Sequence, residues 1–279
     1  MKLTFIGANH EVTGSCHYLE VCGKKIIVDY GMEQGINVFQ NAPAPFSAAE
    51  TEIVLITHAH IDHTGLLPLL YRQGFRGKIY ATSATTELCE IMLRDCAHIQ
   101  EADAEWITRK HKRAGTDPVE PLFTMEDAEG VLKLFRPCHY GTTVDVADGI
   151  RIRFIDAGHL LGSASIEIWL NENGVQNKLL FSGDIGNLNQ PLIKNPTYPE
   201  TADYVIMEST YGDRSHGPKP DYEKNLAAII EETYARGGNV VIPCFAVGRT
   251  QEVLYFLRKI RADNMAKGFK NMEVWLDSP

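Results

Sequence analysis

Four apolar runs in this chain end in the same way. "KKIIVD" closes on Asp29, "IVLI" runs straight into "THAHIDHTG" (residues 57–65), "FIDAGH" reaches His159, and "KLLFSGD" reaches Asp184. Each run has the length and apolar content of a buried strand. Each then stops at a residue type that ligates metals, with a glycine close by that lets backbone approach closely. Taken singly, every one of these residues is as well explained as a turn former or a cap. Taken as a series of strand ends they read as one site, because α/β proteins gather their sites beyond the carboxyl ends of strands.

The second run is the densest. His58, His60, Asp62 and His63 fall within six positions, after an apolar strand and before the helix-like "TGLLPLLYRQG". That context predicts a strand-to-helix loop. A rigid loop with this spacing can aim several neutral imidazoles at one zinc, at metal–nitrogen distances of roughly 2.0–2.1 Å. The rival reading is a solvated, histidine-rich loop with Asp62 as a helix cap. Four donors cannot fill two metal sites, so Asp29, His159 and Asp184 are the candidates for the remainder.

The rest of the chain frames that site. Strands are expected at "KLTFIG", "CHYLEV", "KKIIVDYG", "EIVLITH" and "KIYAT", with "CGKK" as a hairpin turn. Helical periodicity takes over from Ser83 to about Lys110, and again at "TMEDAEGVLKLF", where Thr124 is the expected N-cap. Strands resume at "GIRIRFIDAG", "SASIEIWL", "NKLLFSG" and "DYVIME". The last seventy residues alternate helix (about 222–234 and 250–261) with strand ("NVVIP" and "MEVWLD"), which predicts βαβ units and a parallel sheet. Turn formers cluster in "YGDRSHGPKP" (211–220), the expected domain boundary. Ending at "LDSP", straight after an expected strand, the second domain reads as cut short.

Composition narrows the function classes. Thirty-six acidic against 27 basic residues give a net charge of −9, which argues against wholesale attraction to phosphate backbones or anionic membranes. The one dense basic run, "RKHKR" (Arg109–Arg113), reads first as a solvated helix end and second as a phosphate contact. Six cysteines at 16, 22, 89, 96, 138 and 244 form no CxxC pair, so a reducing, cytoplasmic home is expected. No apolar run approaches the ~18 residues of a membrane span, and the N-terminus has no leader-like h-region.

These motifs resemble those of a known family. "HAHIDH" matches the HxHxDH signature of the metallo-β-lactamase superfamily, and "GH" at 158–159 and "SGD" at 182–184 match its later motifs in order. Within it, "VIMESTYGDR", "GGNVVIPCFAVGRTQEVLYFL" and "LDSP" resemble the β-CASP nucleases. The opening "GANHEVTGSCHYLE" is most similar to bacterial and archaeal relatives of the endonuclease of pre-mRNA 3′-end processing. The resemblance implies an α/β fold, the αββα sandwich of the superfamily. Residues 1–210 would form an incomplete metallo-β-lactamase domain and 211–279 the start of a β-CASP domain.

It also implies residue roles. His58, His60 and His159 would hold a first zinc, Asp62 and His63 a second, with Asp184 bridging both and Asp29 orienting the ligand loop. Glu208 would support catalysis without binding metal. Family members carry two further histidines after the β-CASP domain, a region this sequence does not reach, so the second site here is expected to be weak. Manganese or iron could replace zinc. The implied activity is phosphodiester hydrolysis of single-stranded RNA by a metal-bridging hydroxide, with inactivity of this shortened chain as the alternative. Asp62, Asp184 and Glu208 would form the catalytic group, and Phe245 and Arg249 are possible RNA contacts by stacking and phosphate pairing. The bland alternative for that last pair is a core phenylalanine and a surface ion pair. A homodimer is possible for a longer protein. Two other functions compete: a small-molecule hydrolase of thioesterase or lactonase type, and a non-catalytic RNA-processing partner.

Overall fold

The computed structural model describes residues 1–35, 44–114, 117–215, 217–267 and 272–277. The chain divides into two compact units: Met1–Leu188 with Ile193–Thr210, and Asn189–Leu192 with Tyr211–Pro279.

The first unit is built on two facing sheets. One runs in the order β1 (Lys2–Gly7), β2 (Cys16–Val21), β3 (Lys24–Tyr30), β4 (Ile53–Leu55), β5 (Lys78–Thr82) and β6 (Phe135–Cys138). It opens with two antiparallel pairs and continues with three parallel ones. The other runs β11 (Tyr204–Ile206), β10 (Val175–Phe181), β9 (Ala164–Glu172), β8 (Ile150–Asp156) and β7 (Thr143–Ala147), antiparallel except for the β10–β11 pair.

Strand alternation explains how they pack. Leu19, Ile26, Val28 and Leu55 from the first sheet meet Ile152, Phe154, Ile166, Ile168 and Phe181 from the second in one buried layer. Strand β4 is buried along its whole length, as a central parallel strand must be. The odd-face residues of the first sheet, Ile27 and Val54, are also fully buried. Helix α3 (Ser83–Ala114) contacts β5 and β6, and α4 (Met125–Leu132) packs on both α3 and α2 (Leu67–Arg72). The outer positions of β8–β10 carry a polar set instead. There the buried Glu167 carboxylate pairs with Arg153 and Lys178, each at 2.6 Å.

Several expectations need correction. Helix α4 begins after Thr124, whose hydroxyl and the Asp127 carboxylate form a reciprocal capping box, but it stops at Leu132, and Phe135 opens β6. Strands β6 and β7 were not foreseen. In the second unit, α5 (Tyr222–Ala235) and α6 (Arg249–Ala262) pack through Ala227, Ile230, Leu257 and Ile260. The expected strands "NVVIP" and "MEVWLD" lie outside any ladder among the described residues, so no βαβ unit forms there. A strand exists only through its hydrogen-bonded neighbour, and here Val240 and Met272 add to the small helical core while Val241 and Trp275 are exposed.

Candidate metal centre

Beyond Leu55 the chain leaves β4 and turns into a short helix, α1 (Ile61–Thr64). Asp62 and His63 therefore sit on its first turn, with His60 at its N-cap, rather than in an open loop as expected. The other donors arrive from the far sheet, His159 after β8 and Asp184 after β10.

Asp29 governs the geometry from below. It adopts φ of 57°, a left-handed conformation that costs a non-glycine residue roughly 1–3 kcal/mol. Three hydrogen bonds hold it there, from the Thr57 N–H, the Thr57 hydroxyl and His63 Nδ1, each 2.8 Å. Because the Thr57 hydroxyl donates to the carboxylate, it accepts from His58 Nδ1 at 3.0 Å. His58 and His63 thus spend Nδ1 on the protein and turn Nε2 toward the site.

Four donor atoms converge there. His60 Nδ1 lies 3.0 Å from His58 Nε2 and 3.2 Å from His159 Nε2. Asp184 Oδ2 lies 3.4 Å from His159 Nε2 and 3.7 Å from His58 Nε2. Ligands at roughly 2.0–2.1 Å in a tetrahedron stand about 3.3 Å apart, so the set fits a zinc-sized ion. The other oxygen of the same carboxylate, Asp184 Oδ1, faces His63 Nε2 at 3.3 Å, and Asp62 Oδ2 lies 3.9 Å from that nitrogen. Asp184 therefore stands between a complete group of four and a smaller group of three.

Electrostatics sort the donors. Burial, reinforced by the neighbouring histidines, holds His58 well below the ordinary histidine range. Burial and His159 bring His60 down to about 4. His159 is lowered by burial, only partly opposed by Asp184. Neutral imidazoles are the form a metal binds. Burial would also depress His63, but Asp29 and Asp184 lift it well above the usual range. Asp62 is raised by burial. Burial would raise Asp184 too, yet hydrogen bonding to His63 carries it below the usual carboxylate value.

The chain matches the metallo-beta-lactamase superfamily domain over residues 18–185, which include every histidine and aspartate of the cluster. It belongs to the metallo-β-lactamase superfamily. Ribonuclease TTHA0252 of Thermus thermophilus is 40% identical over 258 residues, covering 92% of this chain and 54% of that protein. Transcription termination factor FttA of Methanocaldococcus jannaschii is 32% identical over 99% of this chain and 42% of its own length. Endoribonuclease YSH1 of Saccharomyces cerevisiae is 32% identical over 92% of this chain and 32% of its own. The chain thus spans about half the length, or less, of these curated relatives. Among solved structures, native FEZ-1 metallo-beta-lactamase from Legionella gormanii aligns with a TM-score of 0.40 at 19% identity, over 71% of this chain and 66% of that one.

Glu208 follows β11 and sits behind the metallo-β-lactamase ligand set. Its Oε1 accepts from Ile185 N at 2.7 Å, its own N–H donates to Ser182 Oγ at 3.0 Å, and Thr210 Oγ1 donates to Oε2. It braces both sides of Asp184. Phe245 and Arg249 belong to the second unit. Phe245 is 81% exposed rather than a core residue, and Arg249, at the start of α6, pairs with Glu252. Two positioning residues escaped the sequence reading. Ser163 Oγ accepts from the backbone N–H of both His159 and Leu160 at 3.0 Å, and Thr57 joins Asp29 to His58. Neither residue type ligates zinc, so only the position immediately before the first motif histidine and four residues after His159 could have flagged them.

Proposed function

We propose that this chain carries the metal-binding part of a ribonuclease that hydrolyses phosphodiester bonds in single-stranded RNA. The observation that carries the reading is Asp184, whose two oxygens face two different donor groups. In this reading His58, His60, His159 and Asp184 hold one zinc, and Asp62, His63 and Asp184 hold a second more weakly because that group offers three donors among the described residues. When bound, such ions supply Lewis-acid activation of water and neutralise charge on the transferring phosphoryl group.

The chain's own residues orient that chemistry. Asp29 keeps His63 turned toward the second group, and Glu208 fixes the backbone on either side of Asp184. Positions 1–210 act as the catalytic domain and 211–279 as the beginning of a β-CASP domain. Exposed Phe245 is suited to stacking on a base and Arg249 to a phosphate, contacts that tolerate any sequence. The names ribonuclease and endoribonuclease among the relatives support RNA over a small ester, and the cytoplasm is the proposed site of action.

The test is cleavage of an end-labelled, unstructured RNA by the zinc-loaded chain and its Asp184→Asn variant, with a lactone and a thioester in parallel. The expected result is RNA cleavage lost in the variant, by a factor of about 100 or more if both donor groups need that carboxylate. Lactone or thioester turnover without RNA cleavage would move the site to small-molecule chemistry.

A further inference from the structure

We propose that Thr57 is the positioning residue of the metal centre, a single buried threonine that sets the ligand-bearing segments relative to one another. This rests on the reading that the converging donors hold metal. Thr57 is 1% exposed, so its role is exerted through its neighbours and not on a substrate.

Its hydroxyl has a fixed polarity. The Asp29 carboxylate only accepts, so the hydroxyl hydrogen goes to Asp29 Oδ2 at 2.8 Å, and the oxygen lone pair takes the hydrogen of His58 Nδ1 at 3.0 Å. That fixes the His58 tautomer with Nε2 free for a metal. The same Asp29 oxygen also accepts from His63 Nδ1 at 2.8 Å. One carboxylate oxygen therefore joins the ligand of the four-donor group to the ligand of the three-donor group, with the Thr57 hydroxyl as the link on one side.

Its carbon skeleton supports a third ligand. Gly183, immediately before Asp184, has φ of +55°, and a Cβ there would stand 2.7 Å from Thr57 Cβ and 3.0 Å from Thr57 Cγ2. The backbone leading into Asp184 rests directly on the threonine. Its carbonyl reaches the fourth segment, accepting from Ala164 N at 2.8 Å, next to the Ser163 hydroxyl that gathers the His159 and Leu160 N–H groups. Serine keeps the hydroxyl, valine keeps the shape and alanine keeps neither, so the contributions separate by substitution.

The experiment is a cobalt(II) titration of the chain and of Thr57→Val, Thr57→Ser and Thr57→Ala, followed by visible absorption of the bound ion, with thermal melts to establish folding. The valine variant is expected to bind the first cobalt about 10–100-fold more weakly and with an altered spectrum, the range seen when an orienting partner of a metal ligand is lost. The serine variant, which keeps the hydroxyl and loses Cγ2, is expected to retain the wild-type spectrum with a smaller loss of affinity than the valine variant. A folded valine variant that matches wild type in affinity and spectrum overturns the proposal while leaving the metal centre intact. Equal losses in serine and valine overturn the role of the hydroxyl. If valine prevents folding, the serine and alanine variants differ chiefly by that hydroxyl, and equal binding by those two overturns it. A wild-type chain that takes up no cobalt overturns the metal reading and this proposal with it.

Discussion

His63 and His60 both neighbour His58 and are pushed in opposite directions, which gives the metal-free protein a distinctive response to pH. The two carboxylates around His63 raise it, so its contribution to stability is complete below the ordinary histidine value of 6.5 and is lost as pH rises through its folded value. His60 behaves in the reverse sense. Its unfolded form takes a proton near 6.5 while its folded form resists until about 4, so stability falls as pH drops across that window. In thermal melts with chelator, the wild type is expected to gain on His60→Gln as pH rises from 4 to 6.5. Parallel curves for the two would contradict the assignment. The candidate ligands were legible in the sequence, since His58, His60, Asp62, His63, His159 and Asp184 are all chemically conspicuous types at strand ends. Thr57 and Ser163 were not, because a threonine before a motif reads as part of the strand and a serine in "GSAS" as part of a turn. Their importance lies in hydrogen bonds to atoms distant in the chain, and no local pattern encodes that.

At the scale of elements, the two sheets deliver their donors through close backbone packing. Gly186, two residues past Asp184, donates its N–H to the Ala157 carbonyl at 2.9 Å, and a Cβ on it would fall 1.6 Å from the Gly158 carbonyl oxygen. No rotation of a side chain relieves a clash with backbone. Gly186→Ala is therefore expected to push the His159 loop away and to weaken zinc binding by about 10-fold or more, with the melting transition retained. Zinc competition against a chromogenic chelator measures this, and unchanged affinity would mean that the loop yields without moving His159. Most strands of the first unit were readable because their burial produces the apolar runs that the eye finds. Strands β6 and β7 were missed for a physical reason: "FRPC" is only four residues long and starts within a helical pattern, and "TVDVA" is a half-exposed edge strand. The opposite error in the second unit has a related cause. "NVVIP" has strand propensity, but propensity is realised only where a neighbouring strand completes the ladder.

At the scale of the whole molecule, a chain with net charge −9 is assigned to a reaction on a polyanion, so attraction must be local. The candidate metal centre would supply such a place, because three neutral imidazoles and one shared carboxylate would leave a divalent ion held there with positive charge to offer the proposed phosphodiester substrate. Everything proposed for this site depends on whether the converged donors hold an ion. The most direct measurement is elemental analysis of zinc per chain on the purified protein after equilibration with zinc and removal of the excess, with His58→Ala treated in the same way. The expected result is one tightly held zinc per wild-type chain, a second that is lost on washing, and loss of the tight ion in His58→Ala. Equal zinc in wild type and variant, or none in either, would contradict it.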